Sequence, residues 1–167
     1  MLNWLRSRSL TGKTAAGLYG SIVAQARQPA FFSGAGVPDT MEGRFGMIGV
    51  HMFLVLERIR REGAEGQKLA RALLECFMTD MDDNMREIGI GDIVVPRRVK
   101  KAAAALHEQL DAYRAALATG SAPATFVEPL VRYVYLERKT GAPDRLAAYM
   151  TAAARHLDQL GWNEIST

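Results

Sequence analysis

Apolar residues recur along this chain at the three- and four-residue steps of an α-helix, and no stretch shows the strict alternation of a half-buried strand. Helices are predicted over residues 14–28 and 40–62. The second of these is apolar nearly all round at its centre, which is typical of a buried central helix. A third helix is predicted from one apolar stripe: Leu69, Leu73, Phe77, Met81, Met85 and Ile88.

The second half of the chain keeps the same helical periodicity. Pro96 suits the first turn of a fourth helix, and residues 93–95 before it are predicted to be an extended connector, because Val95 precedes a proline. A fifth helix is predicted from Phe126 to about Gly141, and a sixth begins at Pro143. The seam of the fourth helix is Val99, Ala103, Leu106, Leu110, Tyr113 and Leu117. The chain is therefore predicted to be all-α, a single-domain bundle of about six helices.

Charge is nearly balanced over the 167 residues, and the net charge of +3 gives no reason to expect a specific nucleic-acid partner. Its distribution is uneven, because the first 38 residues hold four basic residues and no acidic one. We therefore divide the chain into a basic N-terminal arm, residues 1–13, and a helical domain, residues 14–167. The arm is either frayed or docked on a membrane surface.

An acidic block and a basic block follow each other in the middle of the chain. The acidic residues are Glu75, Asp80, Asp82, Asp83, Glu87 and Asp92, relieved only by Arg86. The basic residues are Arg97, Arg98, Lys100 and Lys101. Blocks of this kind act on partners more than on the fold.

No arrangement of residues predicts catalysis or metal binding. His51 has apolar neighbours on its helix face and no second ligand, so a core histidine bonded to one polar group is favoured over a haem or metal ligand. The single cysteine, Cys76, is interpreted as a small buried hydrophobe. Asp80 borders the apolar stripe and needs a partner there, for which Arg44, Arg97 and Arg98 are the candidates. We expect no enzyme, no cofactor and no metal.

The chain has no segment that could span a bilayer. The best candidate, residues 45–56, is about a dozen residues long, against the roughly 20 that a membrane helix needs. The start of the chain lacks the apolar core of a secretory signal. We therefore expect a cytoplasmic protein, with a peripheral position on the cytoplasmic face of the inner membrane as its bound form.

Several short motifs, taken in their order and spacing across residues 18–113, resemble the ubiquinol–cytochrome c chaperone family. They are Gln28-Pro29-Ala30-Phe31-Phe32, Val37-Pro38-Asp39-Thr40 with Gly43-Arg44-Phe45, and Asp80-Met81-Asp82 through Arg86-Glu87, Gly89, Gly91-Asp92 and Val95-Pro96-Arg97. The resemblance implies a non-enzymatic assembly factor. Its partner would be newly made cytochrome b, or another hydrophobic membrane protein, on the way into the respiratory bc1 complex.

Candidate client-binding residues follow from this resemblance and from the residues themselves. Phe31 and Phe32 are predicted to be an exposed apolar anchor in a Gly/Pro loop. The eight methionines are interpreted as core residues or as an adaptable client groove. The basic block is expected to meet polar loops or an anionic membrane surface. The full set is Phe31, Phe32, Asp39, Arg44, Asp80, Asp82, Arg86, Arg97, Arg98, Lys100 and Lys101.

Two alternatives stay open on the sequence. One is a membrane-surface or lipid-binding helical module that has no protein client. The other is a homodimer that buries Phe31 and Phe32 between two copies.

Overall fold

The computed structural model describes residues 2–138 and 140–166, with side chains from residue 11 onward. Its helices are α1 (Leu2–Ala26), α2 (Pro29–Ser33), α3 (Met41–Ile59), α4 (Gly63–Glu87), α5 (Val95–Thr119), α6 (Val127–Tyr133), α7 (Pro143–Gln159) and α8 (Trp162–Ile165). Two 3₁₀ turns, Arg60–Glu62 and Pro123–Phe126, follow α3 and precede α6. No strand occurs in the described residues. The predicted all-α bundle is confirmed, with six main helices and two short ones.

Helix α3 is the centre of the bundle. Every residue from 46 to 56 is buried, and α1, α4, α5 and α7 all pack against it. Thr40 begins the helix, since its side-chain oxygen accepts a 3.2 Å hydrogen bond from the Gly43 amide. An amphipathic helix would expose one face, and the apolar residues on all sides of α3 explain why it is enclosed instead.

Two glycines of α3 allow its neighbours to approach closely. A Cβ atom at Gly46 would lie 2.5 Å from the Tyr133 carbonyl oxygen at the end of α6. A Cβ atom at Gly49 would lie 2.1 Å from the side chain of Gln109 on α5. Gln109 is buried, and its amide nitrogen donates 2.9 Å hydrogen bonds to the Gly46 carbonyl and the Tyr113 hydroxyl. The low helix propensity of glycine is therefore offset here by packing.

The loop between α2 and α3 rests on the connection between α6 and α7. Ala35 lies at the contact, because its carbonyl accepts from the Tyr135 hydroxyl at 2.9 Å and from the Ala142 amide at 2.8 Å. Gly36 and Gly141 meet so closely that a Cβ on Gly36 would lie 2.8 Å from the Gly141 Cα. These bonds fix the loop that carries the Val37-Pro38-Asp39-Thr40 motif.

Two of the predicted helix boundaries differ from the structure. Helix α1 begins at Leu2 and not at residue 14. The side chains of residues 2–10 lie outside the description, so the division at residue 13 stays a prediction. Helix α6 ends at Tyr133 rather than near Gly141, because the fully buried Tyr135 turns into the core. The two residues after it, Leu136 and Glu137, take positive φ angles of 55° and 58°.

The extended connector predicted at residues 93–95 is wrong. Val94 has a helical backbone, with φ −91° and ψ −30°, and α5 begins at Val95. The amides of Val94 and Val95 both bond to the Gly91 carbonyl, at 2.8 and 3.2 Å. These hydrogen bonds outweigh the extended preference of the residue before a proline.

Candidate functional site

Phe31, the predicted exposed anchor, belongs to the core. It lies on the short helix α2, and only 8% of its surface is exposed. Its ring packs edge-on against His51 and Tyr149, with centroids 5.5 and 4.9 Å away. Phe32 is half-buried against the core. The expectation of an exposed aromatic pair is therefore wrong, and Phe31 needs no second copy of the chain to cover it.

Asp39 and Arg44 pair with each other at the start of α3. Arg44 Nε lies 2.7 Å from Asp39 Oδ1, and both side chains are well exposed. The hydrogen bond from Arg44 lowers the pKa of Asp39 below its ordinary value. The same bond raises the pKa of the Arg44 guanidinium. Arg44 is thus held away from Asp80, for which it was a predicted partner.

Asp80 is bonded to a tyrosine and an asparagine and not to an arginine. The Tyr19 hydroxyl of α1 donates to Asp80 Oδ2 at 2.8 Å, and Asn84 donates to Asp80 Oδ1 at 2.9 Å. Burial, reinforced by this hydrogen bond, raises the pKa of Tyr19 far above its ordinary value. The predicted ion pair with Arg44, Arg97 or Arg98 is wrong. Asp80 instead joins α1 to α4.

The end of α4 carries its own ion pairs. Arg86 Nε lies 2.5 Å from Asp82 Oδ2, and the Arg86 guanidinium also bonds to the Asp92 carboxylate in the turn beyond the helix. All three side chains are partly or largely exposed, and such pairs are worth little to stability. Asp82 and Arg86 therefore remain surface residues that a partner could contact.

The basic block is exposed and without a carboxylate partner. No ion pair within 4 Å joins it to any residue that the structure describes, and all four side chains are exposed. Its members are Arg97, Arg98, Lys100 and Lys101. They lie in the first two turns of α5.

Arg98 and Lys101 help to line an open groove between α3, α4, α5 and α6. The cavity measures about 550 Å³. Its walls are mainly apolar, and Met41, at 70% exposure, stands at the rim. Phe45 is held from behind by Phe77, with ring centroids 5.9 Å apart. The complete lining is Met41, Glu42, Phe45, Met85, Arg98, Lys101, Ala102, Ala105, Glu108, Gln109, Arg132, Tyr133 and Leu136.

The polar groups of the groove are paired, except for its two cations and the exposed carboxylate of Glu42. Glu108 accepts from Arg132 at 3.2 Å and from the Tyr133 hydroxyl at 3.0 Å. Gln109 is satisfied by α3, as described above. No buried side-chain nitrogen or oxygen among the described residues lacks a partner. A small polar metabolite would therefore find few bonding groups, whereas an apolar segment with an anionic or carbonyl end would fit.

A second cavity, of about 630 Å³, lies between α3, α7 and the 3₁₀ turn before α6. Its charged groups are largely paired, either with each other or with residues just outside the cavity. Arg61 lies 2.8 Å from Asp158, and Arg58 lies 2.5 Å from Glu62. Arg58 also donates to the carbonyls of Leu157 and Leu160 at the end of α7. We therefore place the candidate site in the groove of α3–α6.

His51 is a bonded residue of the core, and Cys76 lies at the edge of the core. His51 Nδ1 donates to the Met47 carbonyl at 2.8 Å, which leaves Nε2 to accept from the Tyr149 hydroxyl at 2.8 Å. Burial lowers the pKa of His51, so the ring is neutral at pH 7. Cys76, interpreted from the sequence as buried, is only partly buried against the core, and this burial raises the pKa of its thiol. The interpretation of His51 as a bonded core residue is confirmed.

Sequence reasoning missed most of the groove. In the sequence, Met85 is one methionine of a stripe and Phe45 belongs to the Gly43-Arg44-Phe45 motif, whereas Met41 and Arg132 carry no signal of their own. They meet because the end of α6 packs over Gly46, which is a contact between distant segments. Within the described residues, no group of three or more metal-ligating side chains is found. No helix there is long and apolar enough to cross a membrane.

Comparisons with known proteins agree with this fold. The crystal structure of the Cbp3 homolog from Brucella abortus matches with a TM-score of 0.82 and 31% sequence identity, covering 99% of this chain and 92% of that one. No curated protein gives a significant match. The family model described as ubiquinol-cytochrome C chaperone matches residues 33–167. That span includes the whole groove and most of the helical bundle, and the chain therefore belongs to the ubiquinol–cytochrome c chaperone family.

Proposed function

We propose that this protein is a non-enzymatic assembly chaperone that binds newly made cytochrome b, or a similar hydrophobic subunit, for the respiratory bc1 complex. Membership of the family supports the chaperone role. The location of the client site is supported by the groove, because Met41, Phe45 and Met85 form an open apolar surface there beside the unpaired Arg98 and Lys101. The bound protein would work at the cytoplasmic face of the inner membrane, as a peripheral component.

The size and chemistry of the groove suit part of a membrane-protein helix. Its 550 Å³ is close to the roughly 500 Å³ that one helical turn with side chains occupies. Methionine side chains adapt to irregular apolar partners, which favours the holding of an unassembled segment over a single rigid ligand. Arg98 and Lys101 would bind the carbonyl-rich end of a client helix or an acidic loop residue.

The test replaces the groove methionines. Met41→Asn with Met85→Asn should leave the bundle folded, because both side chains are at least partly exposed. The double variant should recover several-fold less cytochrome b from detergent-solubilised membranes, and assembled bc1 complex should fall with it. Met78→Asn is the matched control, since Met78 is an exposed methionine of α4 outside the groove.

Two results would contradict this proposal in different ways. Normal recovery of cytochrome b by the folded double variant would show that the groove is not the client site. Recovery of neither cytochrome b nor another hydrophobic bc1 subunit by the unmodified protein would contradict the chaperone role itself.

A further inference from the structure

The turn between α4 and α5 exposes three aliphatic side chains together. Ile93 is 96% exposed, Ile88 61% and Val94 43%. Isolated apolar residues on a surface are common, but three within one turn form a patch of the kind that marks an interaction site. We call these three residues the apolar tip.

The apolar tip is held by backbone hydrogen bonds. Gly89, with φ +81°, ends α4. Its amide bonds to the Arg86 carbonyl at 2.9 Å, and the Ile90 amide bonds to the Met85 carbonyl at 3.0 Å, which is the Schellman arrangement. The Gly91 carbonyl then accepts hydrogen bonds from the amides of Val94 and Val95, and these bonds form the turn that leads into α5. The exposure of Ile93 is therefore a property of an ordered turn.

The basic block follows the apolar tip directly, and its charge opposes helix stability. The first turn of α5 contains no acidic residue, although a helix N-terminus favours negative charge. Arg97 lies one turn from Lys100 and Lys101, so like charges also face each other. The nearest acid along the chain, Asp92, is bonded to Arg86. The four unpaired cations of the basic block thus lie beside the aliphatic patch, while Glu87 is an exposed acid on its other side, next to Ile88.

We propose that the apolar tip and the basic block together dock on an anionic lipid surface. Ile93, Ile88 and Val94 would enter the boundary between headgroups and acyl chains, and Arg97 and Lys100 would bind lipid phosphates. A protein partner is less well matched, because protein interfaces are usually anchored by aromatic residues in pockets, and the apolar tip has none. The inference rests on the peripheral location proposed above and not on the identity of the client.

Docking in this way would also orient the groove. Arg98 and Lys101 belong both to the basic block and to the groove lining. A bundle that docks through the apolar tip therefore has its groove next to the bilayer surface. A membrane subunit would be bound there as it enters the bilayer.

The experiment is co-sedimentation of the full chain with phosphatidylcholine vesicles that contain or lack phosphatidylglycerol. The unmodified protein should bind the anionic vesicles and release at high salt. Arg97→Glu with Lys100→Glu should weaken binding by about tenfold or more, and Ile93→Asn should weaken it by about fivefold. Neither change touches a residue of the groove lining.

Two controls match these variants. Arg71→Glu with Arg155→Glu changes the net charge by the same amount at exposed positions elsewhere, and Leu117→Asn replaces another exposed aliphatic residue. Both should bind anionic vesicles as the unmodified protein does. Met41→Asn with Met85→Asn should also bind normally, which separates this inference from the client site.

The proposal is overturned if the unmodified protein binds both kinds of vesicle equally or binds neither. It is also overturned if the charge control loses as much binding as Arg97→Glu with Lys100→Glu, since net charge alone would then explain the effect. If the apolar-tip variant keeps vesicle binding but loses cytochrome b in detergent, the apolar tip binds a protein and not lipid.

Discussion

The Tyr19 hydroxyl donates a 2.8 Å hydrogen bond to Asp80, and this contact joins α1 to α4. The two helices pack along much of their length, so the bond lies within an extensive interface. Its consequence is that the one carboxylate bordering the apolar stripe is satisfied by a neutral donor. The acid is structural, and the basic block remains free for a partner.

Removing this bond should cost a moderate amount of stability. Tyr19→Phe should lower the free energy of unfolding by about 1–2 kcal/mol, because Asp80 then keeps only Asn84 as a partner. Asp80→Ala should cost a similar amount, and the double variant should cost less than the sum of the two. Chemical denaturation measures all three. Fully additive losses would show that the two side chains do not interact.

Phe31 should behave as a core residue. Phe31→Ala should lower the free energy of unfolding by about 3–5 kcal/mol, since a buried ring is removed from its contacts with His51 and Tyr149. Phe32→Ala should cost about 1 kcal/mol, because its side chain is only half-buried. Thermal or denaturant unfolding distinguishes them. Equal, small losses at both positions would mean that Phe31 is exposed after all.

Gly46 and Gly20 should respond in opposite ways to the same substitution. Gly46→Ala places a methyl group 2.5 Å from the Tyr133 carbonyl and should destabilise the fold by about 1–3 kcal/mol. Gly20→Ala, on α1, meets no atom within 4 Å and should stabilise by about 0.5–1 kcal/mol through helix propensity. Their melting temperatures should move in opposite directions. A stabilised Gly46→Ala would refute the close approach of α6.

Burial of His51 predicts a dependence of stability on pH. The pKa of His51 is lowered in the folded state, so the unfolded chain binds a proton first, near pH 6.5. The free energy of unfolding should therefore fall as pH drops below about 6.5, until the folded pKa is reached. Between pH 7.5 and 5.5, the free energy of unfolding should fall less in His51→Gln than in the unmodified protein, as denaturant unfolding at each pH would measure.

The exposed His156 provides the control for this measurement. His156→Gln should keep the pH dependence of the unmodified protein, because the buried His51 is unchanged in this variant. An unchanged pH dependence in His51→Gln would mean that the histidine is not protected from protonation.

Helix positions and the burial of α3 could be predicted from the sequence alone, because both depend on the local spacing of apolar residues. Leu69, Leu73 and Phe77 share one face of α4 and are buried, as their spacing indicates. The same stripe continues to Ile88, which is exposed and lies one residue beyond the end of α4. Spacing shows which residues share a face, and it cannot show where the covering elements end.

Only the tertiary structure decided the partners of individual side chains. Phe31 is buried because α3 and α7 bring His51 and Tyr149 to it from distant parts of the chain. Asp80 is bonded to Tyr19 for the same reason, and Met41 and Arg132 line the same groove because α6 packs over Gly46. The helices follow from contacts between near neighbours in sequence. The site follows from contacts between distant residues, which no local pattern encodes.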